Sequence, residues 1–315
     1  MDVVVIGMGV QGEKRARVAR DFGNVITVDP LAGRGDYSSI SEVPIENYST
    51  ACVCVPDSEK AGTVDYLVGH EKHCLIEKPF ELSNARLKTL EMVAAARGVV
   101  VYTAYNHRFE PSLVEVKKIV DSGFLGEPYL VRGFYGNGTA QLVKSSPWKD
   151  GPSSSIIKDL GSHLVDITEF LLGRPNETKV LSAQSNAFET NNFDWASWQL
   201  NWDGITVQQE CTYLCWKNRF ELEVIGSKGS VRVDGLQKWG GSRLQVHKRV
   251  FPSGVPDISE KRYSGTDPTW KEEYEFFISR LGSPPGRELL SKDVFISELL
   301  NNVWNVCNSE GAVCT

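Results

Sequence analysis

The run "DVVVIG" (residues 2–7) limits the possible folds more than any other stretch of the chain. It is apolar and β-branched without polar alternation, as expected of a strand buried on both faces of a parallel sheet. "GMGVQG" (7–12) follows at once, and "QGEKRARVARDFG" (11–23) then places Ala16, Val18, Ala19 and Phe22 at helical spacing before a stop at Gly23. A G-x-G-x-x-G alone is weak, because glycine triplets also occur in ordinary turns. Between a buried strand and a helix it acquires a purpose. The glycines allow a tight turn and close approach to a pyrophosphate, whose charge the N–H groups of the helix start can hold. Gly7, Gly9, Val10, Gln11 and Gly12 are therefore expected to bind a dinucleotide.

The next segments keep the same rhythm. "NVITVD" (24–29), "ACVCV" (51–55), "HCLIE" (73–77) and "VVVYTAY" (99–105) read as strands, and 59–69 and 83–98 as helices between them. Strands separated by helix-length segments predict right-handed βαβ units, hence a doubly wound α/β domain over residues 1–104. Asp29 ends the second strand, where its carboxylate can accept hydrogen bonds from the adenosine ribose hydroxyls. A 2′-phosphate there would be repelled, so NAD is favoured over NADP, although Arg34 lies close in sequence.

After residue 104 the pattern changes. A helix over 111–123 precedes strand-like runs at 128–136, 178–188, 194–202, 205–214, 219–226 and 229–235, with a helix at 162–173. Several of these runs alternate polar with apolar residues, which predicts a large, open antiparallel sheet in an α+β domain over 105–315. Two further helices are expected near 268–282 and 290–307. A sheet this broad has too few helices to cover both faces, so a homodimer or homotetramer is expected. The 315 residues suit two domains. A net charge of −6 supplies no basic stripe for nucleic acid or a membrane surface. The opening strand without a targeting segment predicts a cytoplasmic protein. The 7 cysteines have neither zinc-site spacing nor an even count, and are expected to be buried thiols with no metal.

"LIEKPFELS" (75–83) interrupts an apolar run with Glu77, Lys78 and Pro79 at the carboxyl end of a parallel strand, where ligands of such sheets bind. With the glycine motif, "VCVPDS" (53–58), "YNHRFEPSL" (105–113) and "KDLGSHLVD" (158–166), this E-K-P resembles the Gfo/Idh/MocA oxidoreductases over nearly the whole length. The resemblance implies a Rossmann domain followed by a substrate-binding and oligomerisation domain. It implies that Lys78 joins the Asp159 and His163 of a D-x-x-x-H motif in catalysis. It also implies that Val55, Pro56, Glu77, Asn106 and Trp148 meet the cofactor, and that Tyr105 and Arg108 meet substrate beside Lys78, Asp159 and His163. Lys158, adjacent to Asp159, could bind a substrate hydroxyl, carboxylate or phosphate or be a solvated lysine. Asp159 and His163 are four apart, on one face of a helix that begins by Asp159.

Oxidising a secondary alcohol requires a base with a pKa near neutrality. An imidazole starts at about 6.5 and a lysine at about 10.4. His163 is assigned as the base, with Lys78 polarising the oxygen or sharing the proton and Asp159 orienting the substrate or His163. Glu77 then holds Lys78 or the nicotinamide ribose side, and Pro79, often cis in the family, aims the lysine. The reading is an NAD-dependent oxidoreductase of a sugar, sugar derivative or cyclitol. Two other readings stay open: a reductase of an unsaturated or imine substrate, and a non-catalytic dinucleotide sensor. The chain departs from the family pattern at Arg15 and Lys60, which stand near positions often held by histidine. It departs again at "SSSIIK" (153–158), which replaces Gly-Gly, and at Lys149, which replaces arginine after Trp148. Tyr213 and Trp216 could stack on a sugar ring, but core or subunit packing is the expected role of each.

Overall fold

A computed structural model describes residues 2–146, 155–282 and 288–310. It divides into two compact units, residues 1–106 with 269–298 and residues 107–268 with 299–315. The first 106 residues run β1 (Val3–Ile6), α1 (Val10–Ala19), β2 (Val25–Val28), β3 (Thr50–Val53), α2 (Asp57–Gly69), β4 (His73–Glu77), α3 (Asn84–Ala96) and β5 (Val101–Ala104). The five strands form a parallel sheet in the order β2-β1-β3-β4-β5.

Adjacent residues of these strands enter opposite cores, which explains the unbroken apolar runs. Val4, Ile6, Val53 and Ile76 pack with Val64, Leu67, Leu87 and Leu90 of α2 and α3. Val3, Val5, Cys52 and Leu75 pack on the other face with Ala16 and Ala19 of α1.

The second unit holds α4 (Pro111–Asp121), β6 (Pro128–Gly136), α5 (Ala140–Lys144), α6 (Ile156–Asp159) and α7 (Gly161–Leu172). Strands β7 (Thr178–Asn186), β8 (Trp195–Trp202), β9 (Ile205–Thr212), β10 (Arg219–Gly226), β11 (Gly229–Asp234), β12 (Ser242–Lys248) and β13 (Asp257–Tyr263) follow. Together with β6 they make an eight-stranded sheet, β13-β12-β11-β10-β6-β9-β8-β7. Every pair in it is antiparallel except β6 with β9, so the sheet is mixed rather than purely antiparallel. Strands β12 and β13 were not expected from the pattern. In β13 residues 257–262 are all exposed, leaving no apolar face to alternate, whereas β12 buries only Ser242 and Leu244.

Two helices close the chain, α8 (Thr269–Arg280) and α9 (Glu288–Glu310). The sequence reading placed both in the second domain. In the structure Tyr274 and Phe277 of α8 enter the core beside α1, and Leu290 and Val294 of α9 enter the core beside α2 and α3. The physical reason is coverage. The first 106 residues supply α1 alone to one face of the parallel sheet, and α8 covers the rest of it.

Of the six free cysteines among the described residues, Cys52, Cys74, Cys211 and Cys307 are buried. Burial pushes the Cys52 thiol up to about 12, so it stays protonated. No helix among the described residues is long and apolar enough to cross a membrane.

Candidate active site

In the first unit the glycine turn follows β1. Gly7 has φ +89°, and a Cβ there would sit 2.6 Å from the Cys54 carbonyl oxygen. A Cβ on Gly12 would lie 1.8 Å from the Gly7 carbonyl oxygen, so α1 approaches the turn more closely than any side chain permits. Gly9 differs, because a Cβ there would meet nothing within 4 Å. Gly9 precedes α1 with no side chain capping the helix start, which leaves the first-turn N–H groups of Val10, Gln11 and Gly12 as donors beside open space. This cradle fits a pyrophosphate. Asp29 is buried at the end of β2, and its carboxylate accepts the Met8 N–H at 2.7 Å and the Leu31 N–H at 2.9 Å. It therefore braces the turn and keeps further lone pairs for a diol.

Lys78 follows β4 directly, in the same sheet and at the same strand ends as the glycine turn, and the Lys78–Pro79 peptide is cis. The turn is clamped on both sides. Buried Lys60 donates to the Pro79 carbonyl oxygen at 2.7 Å and pairs with Asp57 at 2.7 Å. Arg15, on α1, is fully buried and donates to Glu77 at 2.6 Å and to Glu273 of α8 at 2.6 Å, with its guanidinium 4.3 Å from the centre of the Trp270 ring. Glu77, expected to hold Lys78 or the ribose side, is thus bound by Arg15. The two positions where the chain departs from the family histidines carry the cations that fix this turn. Burial pushes the Glu273 carboxyl up to about 7, against the opposing pull of Arg15. Glu273 has no motif around it and could be found only through the fold.

Val55 and Pro56 lead from β3 into α2, at the same strand ends. Asn106 donates from Nδ2 to the Thr269 hydroxyl at 2.8 Å. Tyr105, expected at substrate, is buried with the Lys292 ammonium 4.4 Å from its ring centre. Trp148 lies outside the described residues.

In the second unit Asp159 ends α6 and His163 stands in the first turn of α7. Leu160 between them keeps helical dihedrals, so the two side chains stay one turn apart. The Tyr213 hydroxyl donates to Asp159 Oδ2 at 2.8 Å, a role for Tyr213 that the sequence did not suggest. Trp216 is exposed. His163 is buried, with its ring centre 4.0 Å from that of His107 and 5.8 Å from that of Tyr135. His107 sits inside the family-like "YNHRF" stretch but carries no signal of its own. Arg108, expected at substrate, is bound through Nε to both oxygens of buried Asp166 at 2.9 Å and also pairs with Glu169. Lys158 is half-buried on α6, where its backbone N–H reaches the Ser155 hydroxyl at 3.4 Å. Asp159, His163 and Arg108 thus belong to one unit, and Lys78, Glu77, Asp29 and the glycines to the other.

Residues 113–232 match the GFO/IDH/MocA C-terminal domain. The scyllo-inositol 2-dehydrogenase (NAD(+)) of Bacillus subtilis is 24% identical over 259 residues, covering 74% of this chain and 72% of that protein. The D-apiose dehydrogenase of Paraburkholderia graminis is 25% identical over 56% of this chain and 46% of its own length. Matches to other curated relatives span as little as 35% and 38% of their length. Among solved structures, a levoglucosan dehydrogenase in complex with NADH has a TM-score of 0.84 at 15% identity, covering 98% of this chain and 97% of that one. A UDP-N-acetylglucosamine 3-dehydrogenase from Acidithiobacillus ferrooxidans has a TM-score of 0.81 at 18% identity, covering 98% of each chain. These structures share the fold. The Gfo/Idh/MocA resemblance read from the motifs is borne out over residues 113–232, which match that family's C-terminal domain.

Proposed function

We propose that the chain is a nicotinamide-dependent dehydrogenase that oxidises a secondary alcohol of a sugar, sugar derivative or cyclitol, with NAD preferred. The observation that carries this is the ligand edge of the parallel sheet. A glycine cradle open at Gly9, the Asp29 carboxylate and a clamped Lys78 all stand at carboxyl ends of neighbouring strands. When bound there, the dinucleotide supplies the hydride acceptor. The chain's own residues bind and handle the proton. The first turn of α1 takes the pyrophosphate and Asp29 the adenosine ribose. Lys78 polarises the reacting oxygen, and His163 accepts its proton as a base with Asp159 beside it.

The names of the relatives agree with a polyhydroxylated substrate, since they act on inositol, apiose and levoglucosan. The test is reduction of NAD and NADP by the purified chain with a panel of polyols and sugars. Absence of reduction with every polyol, alongside reduction of an enone or imine by NADH, overturns the reading in favour of a reductase. We also propose a dimer or tetramer built on the open face of the large sheet. Sedimentation as a single chain at micromolar concentration sinks that proposal.

A further inference from the structure

Lys238 lies in the short 3-10 turn Gln237–Trp239 of the second unit. Its ammonium nitrogen is 3.2 Å from His107 Nε2 and 2.8 Å from the Tyr135 hydroxyl oxygen, and it lies over the Tyr135 and Trp239 rings. No motif pointed to it, and the reaction proposed above does not by itself use it. An ammonium only donates hydrogen bonds. His107 Nε2 therefore presents a lone pair, and the proton of the neutral ring is on Nδ1. The His163 ring lies 4.0 Å from that of His107, centre to centre, at an interplanar angle of 36°.

We infer that Lys238 is a positioning residue for His163: a fixed cation that holds His107 in one tautomer and keeps His163 in its neutral, proton-accepting form. This rests on the reading of His163 as the base. The argument is electrostatic. Protonating His107 would break its bond to Lys238 and set two cations 3.2 Å apart. Protonating His163 would stack a second cation on a ring already polarised by an ammonium. The two rings are buried, whereas Lys238 itself is exposed, so water screens its charge in part.

The acidic groups of the packed elements have partners of their own. Glu110, one turn beyond His107, accepts from the Gln237 N–H and the Ser242 hydroxyl at 3.1 Å each. Burial raises the Glu110 carboxyl, Asp267 adds to that, and Lys238 opposes it. Asp159 takes the Tyr213 hydroxyl, and Asp166 takes Arg108. The Cys211 thiol on β9 is pushed well up by burial and stays neutral.

The test reads His163 directly. With only 5 histidines in the chain, ring resonances can be assigned by single substitutions and titrated by NMR. Lys238→Met should move the His163 midpoint up by about one pH unit, the worth of a nearby charge in a partly screened site. The ascending limb of kcat/KM for alcohol oxidation should move with it. Below the limb the rate then falls about tenfold, and above it the rate is unchanged. Lys238→Arg, which keeps the charge, should return both midpoints toward wild type. Lys238→Gln, which keeps a donor but no charge, should behave like Lys238→Met. An unmoved His163 midpoint in a folded Lys238→Met, or a Lys238→Gln that titrates like wild type, overturns the inference. The base reading fails separately, if His163→Ala leaves the pH limb of the residual rate where it was.

Discussion

In the first unit a single strand feeds two cores, Val4 and Ile6 into one and Val3 and Val5 into the other. In the second unit the sheet has one apolar face and one charged face. Val131, Val207, Leu222 and Val231 are buried, whereas their neighbours Arg132, Gln208, Glu221 and Arg232 line an open groove. Charge is handled just as differently. The first unit buries Arg15 and Glu273 to fix a turn. The second also buries carboxylates, among them Asp166 against Arg108, but on the open face of its sheet it sets Arg132 against Glu223 and Arg232 against Glu221. Exposed pairs of this kind contribute little stability. The comparison teaches how charge is used: buried charge fixes the turn that carries Lys78, and surface charge lines the exposed face of the large sheet.

The largest effect expected tests whether both units serve one reaction. Lys78→Met in the first unit and His163→Ala in the second should each slow turnover by roughly 10²–10⁴-fold, the usual worth of a placed acid or base. NAD affinity should stay within a few-fold, and if both act on one proton transfer, as proposed above, the double variant should be little slower than either single one. Near-normal kcat in Lys78→Met, measured with a substrate the enzyme turns over, removes the E-K-P turn from the chemistry. A near-normal rate in His163→Ala alone would confine the reaction to groups of the first unit.

Stability gives the next contrast. Phe277 is fully buried among Tyr274 and Tyr102, and Phe277→Ala should cost about 3–5 kcal/mol in urea unfolding. Arg262, 75% exposed on the edge strand β13, pairs with Glu260 at 2.8 Å, and Arg262→Ala should cost under about 1 kcal/mol. Equal losses would mean that α8 is not part of the first core.

The elements that position the site were legible wherever burial imposes a period. The five parallel strands, the glycine turn, the E-K-P turn and α7 could all be read, because each has a face or faces that water must not reach. The position of α8 could not. Its apolar stripe says that it covers something, and only the fold says that it returns to the first sheet. For the same reason Glu273 and Lys238 were invisible. Each is a lone charged residue whose role depends on a partner far away in sequence, Arg15 at a separation of 258 and His107 at 131. Arg15 was noticed only as a departure from the family pattern. The restraint of Arg108 by Asp166, rather than by substrate, depends on α7 packing beside it.

Buried charge in the first unit also predicts a pH effect. Burial raises Glu273 from 4.5 to about 7 in the folded chain. Between those values the folded state keeps a proton that the unfolded chain has released. Stability is therefore full below about pH 4.5 and falls as pH rises through about 7. The loss should be about 1–3 kcal/mol, and Glu273→Gln should abolish it, because the amide stays neutral and still accepts from Arg15. Urea midpoints at about pH 5 and pH 8 decide the matter. The same fall in wild type and variant would assign the loss to other groups.

The last contrast concerns Asp29, whose carboxylate has a structural role and, in the function proposed above, a recognition role as well. Its oxygens already take the Met8 and Leu31 N–H groups, so the glycine turn depends on it before any ligand arrives. Asp29→Ala removes the ribose acceptor and the negative charge together. A hydrogen bond to a charged group is worth about 1.5–3 kcal/mol, so NAD binding should weaken by roughly tenfold or more. NADP should lose less, since its 2′-phosphate no longer meets a carboxylate, and the NAD-to-NADP affinity ratio should relax toward one. Asp29→Asn separates the two roles, because the amide keeps an oxygen for Met8 but carries no charge. If charge discriminates, the asparagine variant should show the relaxed ratio with only a modest loss of stability. If fluorescence titration finds the wild-type ratio in both variants, cofactor choice lies elsewhere and Asp29 is only the brace of the turn.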